Sequence, residues 1–478
     1  MKQIAVITLL FLCSLSTQAK NGFKVEVTFK QDVPDSFVYL AHYFGKGLPT
    51  IYKMDSARVI NKRTVVFERK DSILGGIYMV IYNHNSKLSD FLLDNGNSFT
   101  VIIDNNGEKK PDHLEFKNSP ENTRNQEYNK MMVALTEKNK TITETLAQAK
   151  TKADSAAITK ELSALNEQQA AYRKNYAKKY PNTLLSKIFL APLPPEVPAG
   201  KHYLEDGKTE DTLFAYTYFK NHYWDNFDLR EDRLINTPIY DAKLNDYFTK
   251  WIYQIPDSIN YEADKILKAT KGTKELFRYT LRTLATNALQ SKIMGMDEVF
   301  VYLVENYYMK GEAYWLSPKD LEWYEDRAKK IAPNVLGNIG PDLNMQDVFT
   351  LKDMPLHELK AKYTVMIVWA YDCGTCQKEV PQLDSMYRAV LKDKGVKIYS
   401  IASGGELSEI QKFIDKNKIK DWVNVADINN NTQFKTKYDA FSTPRVYLLD
   451  EHKKIIGKGL DHSNIMDVIN MTERKAKG

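Results

Sequence analysis

The sequence predicts a multidomain protein: an all-β domain at the amino end, an α-helical domain in the middle and an α/β domain at the carboxyl end. Apolar and polar residues alternate over residues 20–115, which favours strands. Residues 116–332 begin with a stretch rich in Ala, Glu, Lys and Gln, which favours helices. From 333 to 478, strand-like and helix-like stretches alternate, as in α/β domains.

The first domain is expected to be a small β-sandwich or barrel. Phe23, Val25, Val27 and Phe29 share one parity, as the buried side of a strand requires. Further strand-like runs cover residues 37–44, 64–67 and 77–82. The runs 91–93 and 99–103 flank the turn Asn95-Gly96, which predicts a hairpin.

The middle domain has a clear start signal, because Ser119-Pro120 fits the cap and first turn of a helix. Residues 121–179 predict long helices, arranged as a hairpin. A proline-rich break at 192–200 precedes helical, aromatic-rich sequence over 212–330. The aromatic residues at 218–224 have helical spacing, so we assign them to a core rather than to a ligand groove.

The third domain begins after a shift to Pro, Asn and Gly over residues 332–342. Its pattern predicts a mixed sheet with helices packed on it. Strands are expected at 364–370, 396–402, 445–450 and 455–458, the last two as a hairpin, and helices at 376–391, 407–417, 432–438 and 463–475.

Residues 1–19 have the pattern of a secretory signal peptide. Lys2 supplies the positive charge, residues 4–12 are apolar, and Thr17-Gln18-Ala19 fits a cleavage site. Lipidation of Cys13 is the alternative, but the bulky residue before it makes a poor lipidation motif. No later run approaches the roughly 18 apolar residues that span a bilayer. We therefore expect a periplasmic or cell-envelope protein without a membrane-spanning helix in its mature chain.

The composition is that of an ordinary globular protein of 478 residues, with 43% hydrophobic residues. The formal net charge of +6 is small for this length, and lysines are interleaved with acidic residues. Nucleic acid is therefore not an expected partner.

Cys373 and Cys376 are the only cysteines left after removal of the signal peptide. Two residues separate them, so they can alternate between dithiol and disulfide. A zinc site would need further ligands, and no second cysteine pair or closely spaced histidine pair is present. A structural disulfide closing so short a loop would constrain the unfolded chain little. The pattern therefore favours redox chemistry, with Cys373 at a helix start as the attacking sulfur and Cys376 as the resolving one.

The segment Trp369-Ala370-x-x-Cys373-x-x-Cys376, with Pro381 five residues on, resembles the thioredoxin superfamily. Glu379-x-Pro381 and the upstream Gly340-Pro341-Asp342 resemble its exported TlpA/ResA-like branch, whose members reduce disulfides in cytochrome c maturation and related tasks. Ser442-Thr443-Pro444 resembles the family's cis-proline loop. The resemblance covers residues 333–478. The preceding domains resemble poorly characterised ones fused to thioredoxin modules in secreted Bacteroidetes proteins.

This resemblance implies a thioredoxin fold and a set of site residues. The implied catalytic residues are Cys373, Cys376 and Glu379, and the implied substrate-binding residues are Trp369, Thr443 and Pro444. It implies no cofactor beyond the cysteine pair, and no metal. Two positions depart from the family: Ile367 replaces a buried aspartate of cytoplasmic thioredoxins, and Asp372 replaces a tryptophan beside the attacking cysteine. Proton handling would then fall more heavily on Glu379.

The expected function is an exported thiol-disulfide oxidoreductase acting as a reductase. Its expected partners are disulfide-bearing exported proteins and a membrane thiol protein that donates electrons. One alternative is a protein that binds a partner or glycan through its first two domains, with the third as an accessory. The other is a thiol peroxidase, which is disfavoured because peroxiredoxins carry Thr or Ser where this chain has Ala370.

Overall fold

The structure is a computed structural model that describes residues 21–106, 113–147 and 151–475. The predicted signal peptide, residues 1–19, and Cys13 lie outside the described residues. Strands come first, helices follow, and a mixed sheet with helices ends the chain. This order confirms the predicted fold class.

The chain forms two compact units. The first contains the residues up to Trp251 together with Thr270–Leu276, and the second contains Ile252–Ala269 together with the residues from Phe277 onward. The mixed sheet therefore shares its unit with a large part of the helical sequence that precedes it.

A β-sandwich opens the first unit. Its strands form two four-stranded sheets, in the orders β4-β1-β7-β8 and β3-β2-β5-β6. β1 and β7 are parallel, and the other neighbouring pairs are antiparallel. The strands are β1 (Phe23–Phe29), β2 (Phe37–His42), β3 (Tyr52–Arg58), β4 (Thr64–Arg69), β5 (Gly76–Tyr82), β6 (Lys87–Leu93), β7 (Ser98–Ile103) and β8 (Leu114–Lys117).

The predicted hairpin around Asn95-Gly96 is wrong, because β6 and β7 belong to different sheets. β6 pairs with β5, whereas β7 pairs with β1 and β8. Both strands turn apolar side chains into one core, where the rings of Phe91 and Phe99 lie 5.7 Å apart at 86°. The turn therefore connects two layers packed face to face, which alternation alone does not distinguish from a hairpin.

Five helices follow in the first unit. They are α1 (Pro120–Ala147), α2 (Lys152–Lys179), α3 (Leu184–Leu190), α4 (Phe214–His222) and α5 (Tyr240–Asp246). α1 begins at Pro120, as predicted, and α1 and α2 pack as a hairpin in which Arg173 donates a 2.6 Å hydrogen bond to the hydroxyl of Tyr128. Of the aromatic residues at 218–224, Tyr223 is buried, whereas Tyr218, Phe219 and Trp224 are partly exposed, so the core interpretation is confirmed for Tyr223 alone.

Four helices precede the sheet of the second unit: α6 (Pro256–Thr270), α7 (Glu275–Gln290), α8 (Asp297–Leu303) and α9 (Pro318–Ile331). The sheet has the order β10-β9-β13-β12-β11-β14-β15. Its strands are β9 (Asn344–Asp347), β10 (Asp353–Pro355), β11 (Tyr363–Trp369), β12 (Val396–Ala402), β13 (Val423–Ala426), β14 (Arg445–Asp450) and β15 (Ile455–Lys458). β14 and β15 are antiparallel, which confirms the predicted hairpin.

Helices cover both faces of this sheet, which is why every residue of the central strand β11 is buried. One core includes residues of α10 (Cys376–Met386), α11 (Leu407–Asn417) and α13 (Ile465–Lys475), and the opposite core includes α12 (Phe434–Lys437). After α10 the helical path continues through Tyr387–Leu391, so the helix predicted at 376–391 is confirmed. This packing places the start of α10 at the end of β11.

Candidate active site

The sulfur pair lies in the turn between β11 and α10. The Sγ atoms of Cys373 and Cys376 are at disulfide distance, and their Cα atoms are 5.2 Å apart. Cys376 is the first residue of α10 and is fully buried, whereas Cys373 is partly exposed. The backbone amide of Cys376 donates to Cys373 Sγ over 3.2 Å, so the helix start faces that sulfur. A free amide and the positive end of a helix both stabilise a thiolate at Cys373.

The loop before β14 lies against the same sulfur. The Thr443–Pro444 peptide bond is cis, as the resemblance implies. The carbonyl oxygen of Thr443 is 3.3 Å from Cys373 Sγ. Because proline has no N–H, this turn presents carbonyl oxygens beside the sulfur. The structure thus brings Thr443 and Pro444, predicted from sequence as substrate contacts, next to the partly exposed cysteine.

Glu379 lies one helical turn after Cys376 and is 8% exposed. The backbone N–H of His462 donates to Glu379 Oε1 over 2.6 Å, and His462 Nδ1 donates to Oε2 over 2.9 Å. His462 belongs to the loop between β15 and α13, and its side chain is 33% exposed. A buried carboxylate one helical turn from Cys376 is thus hydrogen-bonded to a partly exposed imidazole.

Sequence patterns did not single out His462, since 83 residues separate it from Glu379. The sequence does contain a feature from which a partner for Glu379 could have been predicted. A carboxylate in the first turn of a core helix needs a hydrogen-bond donor when it is buried. The segment Asp461-His462-Ser463, between the last strand and the last helix, contains such a donor.

Trp369 does not fit its predicted role as a substrate contact. Its side chain is 1% exposed, its Nε1 donates to the Ser400 hydroxyl over 2.7 Å, and its ring stacks on Phe413 with centroids 4.4 Å apart. The reason is that β11 is an interior strand, between β12 and β14, and is covered on both faces. Trp369 therefore supports the strand that ends beside the cysteines, beneath the surface.

The two positions that depart from the family lie where the sequence suggests. Ile367 is completely buried in the core that also contains Cys376. Asp372 is exposed next to Cys373. Because Ile367 has no ionisable group, Glu379 is the buried carboxylate that the described structure offers near the sulfurs.

The described ranges contain no group of three or more His, Cys, Asp or Glu side chains arranged to hold a metal ion. Within the same ranges, no helix combines the length and apolarity needed to cross a membrane.

Comparison with known families gives two adjacent matches. Residues 336–472 match the Redoxin family, and residues 195–334 match a domain of unknown function, DUF5106. The Redoxin match contains both cysteines, Glu379, Pro444 and His462.

Two thiol-disulfide oxidoreductases are similar to part of this chain. The thiol-disulfide oxidoreductase ResA of Oceanobacillus iheyensis is 25% identical over 123 residues, 25% of this chain and 62% of that protein. ResA of Bacillus cereus is 26% identical over 107 residues, 22% of this chain and 60% of that protein. The chain thus spans about 60% of the length of these relatives.

Among solved structures, a domain of a possible thiol-disulfide isomerase from Cytophaga hutchinsonii is 37% identical, with a TM-score of 0.29, covering 30% of this chain and 98% of that one. A thioredoxin-like protein from Bacteroides caccae is 20% identical, with a TM-score of 0.46, covering 58% of this chain and 98% of that one.

The mixed sheet, the cysteine pair at a helix start and the Redoxin match define a thioredoxin-like module of the thiol-disulfide oxidoreductase class. Together with the ResA relatives, this match supports a TlpA/ResA-like member of the thioredoxin superfamily over residues 336–472.

Proposed function

We propose that the protein is an exported thiol-disulfide oxidoreductase that reduces disulfides in client proteins. One observation carries the proposal: the two sulfurs are at disulfide distance, with Cys373 partly exposed and Cys376 fully buried. Because of this difference in exposure, a client can reach the sulfur of Cys373, while the sulfur of Cys376 is shielded from it. It supports Cys373 as the attacking group and Cys376 as the resolving group.

The exchange has two steps. In the first, the Cys373 thiolate attacks one sulfur of the client disulfide, forms a mixed disulfide and releases the other client sulfur as a thiolate. In the second, the Cys376 thiolate attacks Cys373 Sγ, which closes the Cys373–Cys376 disulfide and releases the second client sulfur. Two electrons and two protons pass from the dithiol to the client. The closed disulfide then needs a dithiol donor.

Three further residues complete the proposed site. Glu379, one turn from Cys376, takes the proton of the resolving thiol, and His462 exchanges that proton with solvent. The carbonyl of Thr443 and the cis bond at Pro444 border the attacking sulfur, where an extended client segment would lie.

Export and the reducing direction belong to the proposal as well. The signal-peptide pattern at residues 1–19 and the similarity to ResA support an envelope location. The dithiol donor would be a membrane thiol protein, and the clients would be exported proteins with disulfides.

The cysteine variants test the proposal. Cys373→Ser should abolish insulin reduction with dithiothreitol as donor, because no attacking sulfur remains. Cys376→Ser should instead accumulate mixed disulfides through Cys373, which non-reducing gels followed by mass spectrometry would identify. Wild-type turnover by the Cys373→Ser protein would refute the assignment. The double variant is the control for background capture.

A further inference from the structure

A cleft of about 730 Å³ lies in the second unit, beside the cis-proline loop. One wall is built by residues 291–297, which connect α7 to α8, and by Arg327 of α9. The opposite wall comes from the Redoxin part, in the segments 439–445 and 458–464. The volume lies within the roughly 300 to 1,000 Å³ typical of ligand sites. The helical sequence before the Redoxin part therefore contributes half of this cleft.

Both loops of the sulfur site border the cleft. Ser442 lines it and directly precedes Thr443, whose carbonyl oxygen is 3.3 Å from Cys373 Sγ. Leu460 and Asn464 line it from the loop that carries His462, the partner of Glu379. A client polypeptide bound in the cleft would thus extend toward the attacking sulfur of Cys373.

The cleft has more positive than negative charge. Four basic side chains and two acidic ones line it: Lys292, Arg327, Arg445, Lys458, Asp297 and Asp439. Lys458 pairs with Asp297 at 2.6 Å, while Arg327 and Arg445 share Asp439. Two positive charges therefore remain in excess.

Lys292 is the basic side chain of the cleft that is available to a ligand. It is exposed and forms no ion pair with any residue in the described ranges. A carboxylate is the group that it would bind.

We propose that this cleft receives the polypeptide segment flanking the client's disulfide and selects segments with acidic side chains. The inference rests on the proposed function. Phe441 and Ile293 add apolar contacts at the cleft, since they are 58% and 46% exposed. An extended peptide with carboxylates matches this combination of apolar and basic surface better than a small neutral disulfide does.

The test compares two disulfide-bearing peptides that differ only in having Glu or Lys on both sides of one cysteine. Full-length protein is reduced with dithiothreitol, freed of it and mixed with each peptide, and the second-order rate of peptide thiol release is measured. Wild type should reduce the Glu peptide about fivefold faster, the factor expected for one exposed charge pair near 4 Å in water. The preference should shrink at high ionic strength.

Lys292→Glu should remove or reverse this preference, and the matched variant Lys416→Glu should keep it, because Lys416 is exposed on α11 and does not line the cleft. Both variants should reduce the neutral 2-hydroxyethyl disulfide at the wild-type rate. A loss of that activity in Lys292→Glu would locate the effect at the sulfurs and overturn the cleft assignment.

The two hypotheses fail differently. If wild type reduces neither peptide nor the neutral disulfide, the proposed function is wrong. If it reduces both peptides equally and Lys292→Glu changes nothing, the oxidoreductase function stands and the acidic-client inference is overturned.

Discussion

The carboxylate of Glu379 accepts two hydrogen bonds from His462, one from its backbone N–H and one from its ring nitrogen, at 2.6 and 2.9 Å. The two residues come from α10 and from the loop before α13, so the pair joins two segments of the Redoxin part that are 83 residues apart in sequence. A carboxylate held at both oxygens has a fixed orientation. Its distance of one helical turn from Cys376 makes that orientation relevant to proton transfer.

Replacing Glu379 by Gln should slow client reduction about 100-fold near neutral pH, because general acid-base groups contribute on that order or more. Glutamine keeps the size and an acceptor for the His462 amide, so folding should be little changed. Stopped-flow measurement should show the mixed disulfide accumulating, since the resolving thiol loses its base. Glu358→Gln is the exposed control. Wild-type resolution by the Glu379→Gln protein would eliminate the proton-transfer role.

His462→Asn should slow the resolving step about 100-fold, because asparagine can still donate to Glu379 but cannot pass a proton between the carboxylate and solvent. The rate of mixed-disulfide resolution in stopped-flow experiments is the readout. His452→Asn, whose imidazole is 82% exposed, should keep the wild-type rate. A wild-type rate in His462→Asn would show that the histidine only positions the glutamate.

Trp369→Phe should lower the free energy of unfolding by about 1 to 3 kcal/mol, because the buried hydroxyl of Ser400 loses its partner. Its KM for client should stay unchanged, since Trp369 is 1% exposed. Urea denaturation and steady-state kinetics check the two parts. The exposed Trp323→Phe serves as the control, with a change within about 0.5 kcal/mol. A raised KM for client in Trp369→Phe would support a direct contact between Trp369 and the substrate, against the burial seen in the structure.

Local patterns predicted four of the seven strands of the mixed sheet and the helix that begins at Cys376, but they did not predict β9, β10 or β13. The strand predicted at 364–370 is observed at Tyr363–Trp369, and the helix predicted to begin at Cys376 does so. A strand buried on both faces appears in the sequence as one continuous apolar run, and a helix packed on a core has apolar residues every three to four positions. Residues that are close in sequence are therefore enough to predict both elements. The approach of Thr443 to Cys373 came from family resemblance instead, since 70 residues separate them.

Contacts between elements that are distant in the sequence were not predicted. The sequence at Asn95-Gly96 is compatible with a hairpin and with a connection between two sheets, and tertiary packing determines which of the two forms. His462 was missed because hydrophobic periodicity contains no information about which donor a buried carboxylate receives. The partner of Lys458, a residue of the helical sequence, was missed for the same reason.

The ion pair between Lys458 and Asp297 predicts that the stability of the second unit depends on its helices. Lys458 is 6% exposed, and its ammonium contacts Asp297 of α8 at 2.6 Å and Asn334 at 2.8 Å. Burial lowers the pKa of Lys458 from its ordinary 10.5, and the Asp297 carboxylate opposes that shift. Since burial disfavours the charged form, removing the carboxylate should cost most stability while the lysine is protonated.

Asp297→Asn should therefore lower the free energy of unfolding by about 2 to 4 kcal/mol at neutral pH, because it leaves a buried ammonium without its counter-charge. The loss should shrink as pH rises toward 10.5, since the folded protein then releases the Lys458 proton more readily than the unfolded chain. Adding Lys458→Met should recover most of the loss, as an apolar side chain needs no partner there. Denaturant titrations at several pH values measure this, with Asp326→Asn, from an exposed pair, as the control. Equal stabilities for Asp297→Asn and Asp326→Asn would show that the helical sequence does not anchor this lysine.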